Sequence, residues 1–144
     1  MNDEQFRILE LAQKGYFCSQ IIMQLALDLK GKDDADLVRA MSGLAFGVGC
    51  GVGTCGALSG AACVIALYSG KGNDDEEEHP AKETMLAELA EWFEMEFGNK
   101  YGGIICEKIA GENLEHRDRC GAIVVDCFGK AKELLLERGF DLYE

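Results

Sequence analysis

Four cysteines carry the chemistry this sequence could perform. Cys18 stands before the amphipathic stretch Ser19 to Lys30, and Cys55 opens the run Cys55-Gly56-Ala57-Leu58-Ser59-Gly60. Cys106 leads the short segment Cys106 to Ala110, and Cys120 begins the run toward Arg138. Each falls where a helix is expected to start. The first backbone N–H groups of a helix lack intrahelical partners, and the helix dipole adds partial positive charge there, which favours thiolate over thiol. The thiolate is the form that attacks disulfides and ligates metals. Four repeats of this placement in 144 residues predict a thiol site built from Cys18, Cys55, Cys106 and Cys120 rather than four unrelated core residues.

The elements that must position these thiols read as helices from end to end, with a single proline. Asn2 or Asp3 can cap a first helix whose Phe6, Leu9 and Ala12 recur at helical spacing before Gly15 stops it. The second places Ile21, Ile22, Leu25, Ala26 and Leu29 on one face and ends at Gly31. Asp33 or Asp34 caps a third, with Leu37, Val38, Met41 and Leu44 or Ala45 facing inward. The fourth, Cys55 to Tyr68, is apolar nearly all round, which predicts the central, most buried helix. Lys71 to Glu78 reads as a solvated acidic linker. Pro80 suits the first turn of a fifth helix, whose Met85, Leu86, Leu89, Trp92, Phe93 and Phe97 run up to Gly98. Asn99 to Gly103 reads as a turn, and the last helix carries Ile123, Val124, Cys127, Leu134 and Leu135. The expected fold is all-α: one helical-bundle domain over 1–144, with a buried glycine-rich loop before a central apolar helix.

Composition narrows the function. With 48% hydrophobic residues the chain can build an ordinary core without disulfide staples. Its 14 basic and 26 acidic residues give a formal charge of -12, which opposes nucleic-acid phosphates and anionic lipid surfaces. The opening residues Met1 to Phe6 have neither the basic region nor the apolar run of a secretory signal, so a cytoplasmic setting with reduced thiols is expected. No charged residue occurs between Arg39 and Lys71, long enough to span a bilayer, but the glycines from Gly47 to Gly53 would break a spanning helix. Two core helices joined by a glycine loop are expected there instead.

The cysteine pattern resembles the redox-active family called C_GCAxxG_C_C, in which four cysteines and a CGAxxG motif are spread over a domain of this size. The first cysteine corresponds to Cys18 within Gly15-Tyr16-Phe17-Cys18, the motif to Cys55 through Gly60, and the remaining two to Cys106 and Cys120. The family's name has glycine before cysteine, whereas this chain has Cys55 before Gly56. The resemblance implies a redox-active protein that cycles thiols or carries electrons for a partner oxidoreductase or transport system. It supplies a class of chemistry and not a substrate; a homodimer is left open.

Two uses of the four cysteines follow. In thiol–disulfide exchange, Cys55 reacts and one of Cys18, Cys106 or Cys120 resolves it; four cysteines permit three pairings. As an alternative, the same four are ligands of an iron–sulfur cluster or other metal, since cluster ligation tolerates varied cysteine spacing. Structural zinc is disfavoured, because the chain has no C-x-x-C pair. Gly53, Gly56 and Gly60 are the candidate positions beside the thiols where a cofactor or a neighbouring backbone can come close. Gly51-Val52-Gly53-Thr54-Cys55-Gly56 also matches G-x-G-x-x-G, with Asp74 and Asp75 downstream, but a helix rather than a strand precedes it and no βαβ unit surrounds it. Cys50 is a candidate auxiliary thiol, and Cys63 and Cys127 read as core. His116 reads as an exposed loop residue, and His79 as part of the approach to the fifth helix. No catalytic triad, phosphate loop or carboxylate pair stands out, so the only enzyme class left open is a thiol-based oxidoreductase. A purely structural interaction protein would instead tolerate loss of Cys55.

Overall fold

Short polar residues and glycines punctuate the helices, and they set where each thiol is carried. The computed structural model describes residues 2–144; Met1, the first residue of the stretch read for a leader, lies outside them. In α1 (Asp3–Gln13) the Asn2 side chain accepts the Gln5 N–H at 2.8 Å while the Gln5 side chain accepts the Asn2 N–H at 2.9 Å, a reciprocal cap. In α2 (Cys18–Lys30) the chain stops at Gly31 in the left-handed conformation, φ 64°. Asp34 caps α3 (Ala35–Met41) by accepting the Leu37 N–H at 3.0 Å. A 3-10 turn (Ser42–Leu44) leads into α4 (Ala45–Val48), a single irregular turn. The central α5 (Gly56–Ser69) is followed by α6 (Lys82–Phe93), a π-helical turn (Glu94–Gly98) and α7 (Asn99–Tyr101). Then come α8 (Cys106–Ala110), a 3-10 turn (Arg117–Arg119) and α9 (Cys120–Glu137).

The all-α bundle expected from the sequence is what forms. Helix α5 packs against α2, α6 and α9, and its Ala61, Val64 and Ile65 are almost completely enclosed. Each large aliphatic side chain buried this way stabilises the fold by about 1.5–3 kcal/mol. Close approach of α5 to α2 needs Gly60, where an added Cβ would lie 3.1 Å from the Ser19 Cα. Ser19, fully buried, donates to the Met41 carbonyl at 2.7 Å and so ties α2 to the end of α3. Among the described residues there is no strand, only one isolated antiparallel bridge between Thr54 and Ile105. No helix of the described residues is long and apolar enough to cross a membrane.

Three local expectations change. Helix α1 docks on α2 and α9 through Ile8 and Leu11, leaving Phe6 (59%) and Leu9 (45%) exposed, because the helix has two apolar stripes and only one fits the groove. The fifth predicted helix does not end at Gly98, which keeps right-handed helical angles; the chain turns only at Gly102, φ 85°. The glycine loop is only partly buried. Gly47 is enclosed, but Val48 and Cys50 are exposed and Val52 stands 61% exposed. Lys71 to Glu78 is solvated as predicted, and the His79 ring accepts the Ala81 N–H at 3.1 Å on the approach to α6.

Candidate thiol site

The glycine loop brings the starts of α5 and α8 together through an unusual backbone. Phe46 (φ 57°), Gly47 (φ 59°), Val48 (φ 61°) and Gly49 (φ 78°) are successive left-handed residues, a conformation that costs a non-glycine residue roughly 1–2 kcal/mol. This turn lays Gly47 against Gly53, with the Gly53 N–H donating to the Gly47 carbonyl at 3.0 Å. At Gly47 an added Cβ would fall 2.5 Å from the Gly53 oxygen and 2.9 Å from the Cys106 Cβ, so no side chain fits. From there the loop clasps the segment before α8. The Cys106 N–H donates to the Gly53 carbonyl at 2.9 Å, the Cys55 N–H to the Ile104 carbonyl at 2.8 Å and the Glu107 N–H to the Gly51 carbonyl at 2.9 Å.

On the other side of Cys55, Gly56 lets the first residues of α2 approach. A Cβ there would lie 2.6 Å from the Cys18 sulfur and 3.1 Å from the Leu44 carbonyl oxygen. Protein atoms therefore lie against all three glycines singled out in the sequence: the Gly47 carbonyl at Gly53, the Cys18 thiol at Gly56, and Ser19 at Gly60. They bring the thiol-bearing backbones close.

Cys18, Cys55, Cys106 and Cys120 all line one cavity of about 510 Å³. Its buried wall includes Ile21, Ile109, Ile123 and Val124, and its exposed margin includes Tyr16, Phe17, Arg117 and Asp118. The Phe17 and Phe46 rings meet edge to face across that margin, with centroids 4.8 Å apart. All seven cysteines are free thiols.

The electrostatics reverse the simple helix-end expectation. The Ala57 and Leu58 N–H groups favour a Cys55 thiolate, though neither makes a capping hydrogen bond, and burial outweighs them so that the Cys55 thiol is pushed up. Burial, then charge on Cys55 and Cys120, raises Cys18 to about 12. Burial, then charge on Cys55 and Cys106, raises Cys120 to about 11. Cys106 is also raised, by burial and then by Cys55. Cys120 has a further handicap: the 3-10 turn Arg117–Arg119 runs straight into α9, so its position is not an open helix end. At neutral pH the site is a set of protonated sulfurs, and Cys55 is the one whose charge the other three all feel.

A model of the family described as "Putative redox-active protein (C_GCAxxG_C_C)" matches residues 16–134, a span that contains all four cavity cysteines. The chain belongs to the C_GCAxxG_C_C family. No curated protein and no solved structure matches it. The four cysteines that resemble the family pattern share one cavity, and the remaining three behave differently. Cys127 is completely enclosed in the core, and Cys63 is partly buried. Cys50 is exposed, its thiol 3.4 Å from the Gly47 carbonyl. His116 is exposed, as read.

Four thiols are the right donors for an iron–sulfur cluster, but among the described residues no three Cys, His, Asp or Glu side chains are grouped closely enough to hold a metal ion. Cysteine spacing in the sequence did not disclose Phe17, Phe46 or Leu114, which also line the cavity. Phe46 and Leu114 both hold positive φ, 57° and 58°, the kind of backbone strain that clusters at functional sites. The sequence hints were Phe17 directly before Cys18 and Phe46 directly before the glycine run.

Proposed function

We propose that the C_GCAxxG_C_C cavity is a dithiol–disulfide centre that exchanges electrons with a partner oxidoreductase in a reducing compartment such as the cytoplasm. The observation that carries this reading is that four thiols from four separate elements line one apolar cavity around Cys55. Oxidation joins the Cys55 sulfur to one neighbour: two S–H bonds break, one S–S bond forms, and two electrons and two protons leave. A disulfide also removes two sulfurs from the mutual repulsion that opposes their ionisation. Because the resting thiols are protonated, casual oxidants find little thiolate, and reaction is left to a reagent that enters the cavity or a partner that opens it. The acidic surface of the chain suits a basic docking patch on such a partner.

The test is thiol counting and metal analysis on protein purified without oxygen. Loss of two or four titratable thiols on mild oxidation, in metal-free protein and dependent on Cys55, is the expected result. Iron and sulfide with a visible charge-transfer band, lost in Cys55→Ser, would replace this reading with that of a cluster carrier.

A further inference from the structure

The cavity's lining says what kind of molecule can meet the thiols. Its buried wall is aliphatic, its margin aromatic, and its inner surface carries no charged side chain; Arg117 and Asp118 belong to the exposed margin. A charged thiol or peptide disulfide would have to leave water for an apolar inner wall, with Arg117 and Asp118 of the margin as the only charged groups lining the cavity. The chain's formal charge of -12 adds repulsion against anions. An uncharged, flat, apolar molecule meets neither obstacle. A cavity of about 150 Å³ is enough for benzene, so about 510 Å³ accommodates a two-ring compound. The edge-to-face pair Phe17 and Phe46 offers ring surface at the mouth, and Arg117 offers a hydrogen-bond donor to a carbonyl there.

We infer that the cavity is a binding site for a small uncharged quinone, which serves as the two-electron oxidant of the Cys55 dithiol. This rests on the dithiol reading above. The step balances without another reactant. Cys55 and one neighbouring cysteine lose their S–H bonds and form an S–S bond, and the two electrons and two protons convert both quinone carbonyls to hydroxyls. Protonated thiols suit such an acceptor, which takes protons together with electrons.

The probe is 2,3-dimethyl-1,4-naphthoquinone, whose blocked ring positions prevent thiol addition, mixed with reduced full-length protein under anaerobic conditions. Saturable binding is expected, with two thiols lost per quinone reduced. Phe17→Ala, at an exposed position, and Phe46→Gly, which keeps the left-handed backbone, are each expected to weaken binding by about tenfold. 2,3-Dimethylnaphthalene, the same shape without redox chemistry, is expected to compete. Absence of saturable binding by either ring compound, binding indifferent to both phenylalanine variants, or binding without thiol loss would each overturn the inference. Diamide, small and uncharged enough to enter the cavity and used above pH 9 where thiolate is available, separates the two levels: its failure to oxidise the cavity thiols sinks the dithiol centre itself, whereas diamide oxidation without ring binding sinks only the quinone site.

Discussion

Cys55 and Cys127 are both buried cysteines on helices that pack together, yet they sit in different kinds of surroundings. Cys127 lies inside α9 among core side chains and fills space as a small apolar residue. Cys55 lies at the start of α5 on a cavity wall, beside backbone that only glycine permits and a turn in the left-handed conformation. Burial raises both thiols, so neither burial nor acidity separates them. What separates them is the open space in front of the sulfur and the backbone strain kept to create it.

Glycine substitution should expose that contrast most sharply. Gly47→Ala combines a positive φ with a Cβ 2.5 Å from a backbone oxygen, and a loss of about 3 kcal/mol or more is expected in denaturant unfolding. Gly129→Ala in α9, with nothing within 4 Å of the new Cβ, should instead stabilise by about 0.5–1 kcal/mol. Equal effects at the two positions would erase the distinction between the regions.

Alkaline pH should act on the cavity end next. The folded thiols of Cys18 and Cys120 lie at about 12 and about 11, above the ordinary 9.0, so the folded chain holds more protons than the unfolded one in that interval. Their contribution is fully present below pH 9 and is lost as pH rises through the folded values, so unfolding should become markedly easier between pH 9 and 12. Replacing both residues by Ser should flatten that slope in pH-dependent unfolding; an unchanged slope would assign it to other groups.

Cysteine replacement sharpens the pair itself. Cys127→Ser should cost about 1–2 kcal/mol, as a hydroxyl enters the core, while leaving oxidant-dependent thiol loss intact apart from the one residue. Cys55→Ser should abolish that loss. The smallest effect is expected at Val48→Gly, which removes a β-branched residue from the left-handed region at an exposed site and should stabilise by about 1 kcal/mol. No gain would mean that the turn is not strained at this residue.

Much of this was legible in the chain. The bounds of α2, α5 and α8 follow from Gly31, from the apolar run after Cys55 and from the short segment after Cys106, because caps and periodicity are local properties. The family cysteines likewise mark the wall they build. Protonation of those thiols was not legible, because it depends on burial by residues far along the chain, which defeats the local pull of a helix start. Nor was the outward turn of Phe6 and Leu9, since two apolar stripes on α1 are equally plausible until α2 and α9 select one. The π-helical turn at Glu94–Gly98 was hidden for a related reason: Gly98 signals a stop only if it leaves the right-handed region, and here it stays.

The clasp between the glycine loop and the segment before α8 also bears on how the chain folds. Its hydrogen bonds join Gly51, Gly53 and Cys55 to Ile104, Cys106 and Glu107, groups widely separated along the polypeptide, so loop-closure entropy must be met before they form. Local helices such as α1 and α2 can assemble earlier. Closure of the thiol cavity is therefore expected after the local helices, with Cys18 and Cys55 open to mispairing until then. A reductant present during refolding is expected to raise the yield of correctly closed protein, because it keeps those sulfurs unpaired until the clasp forms.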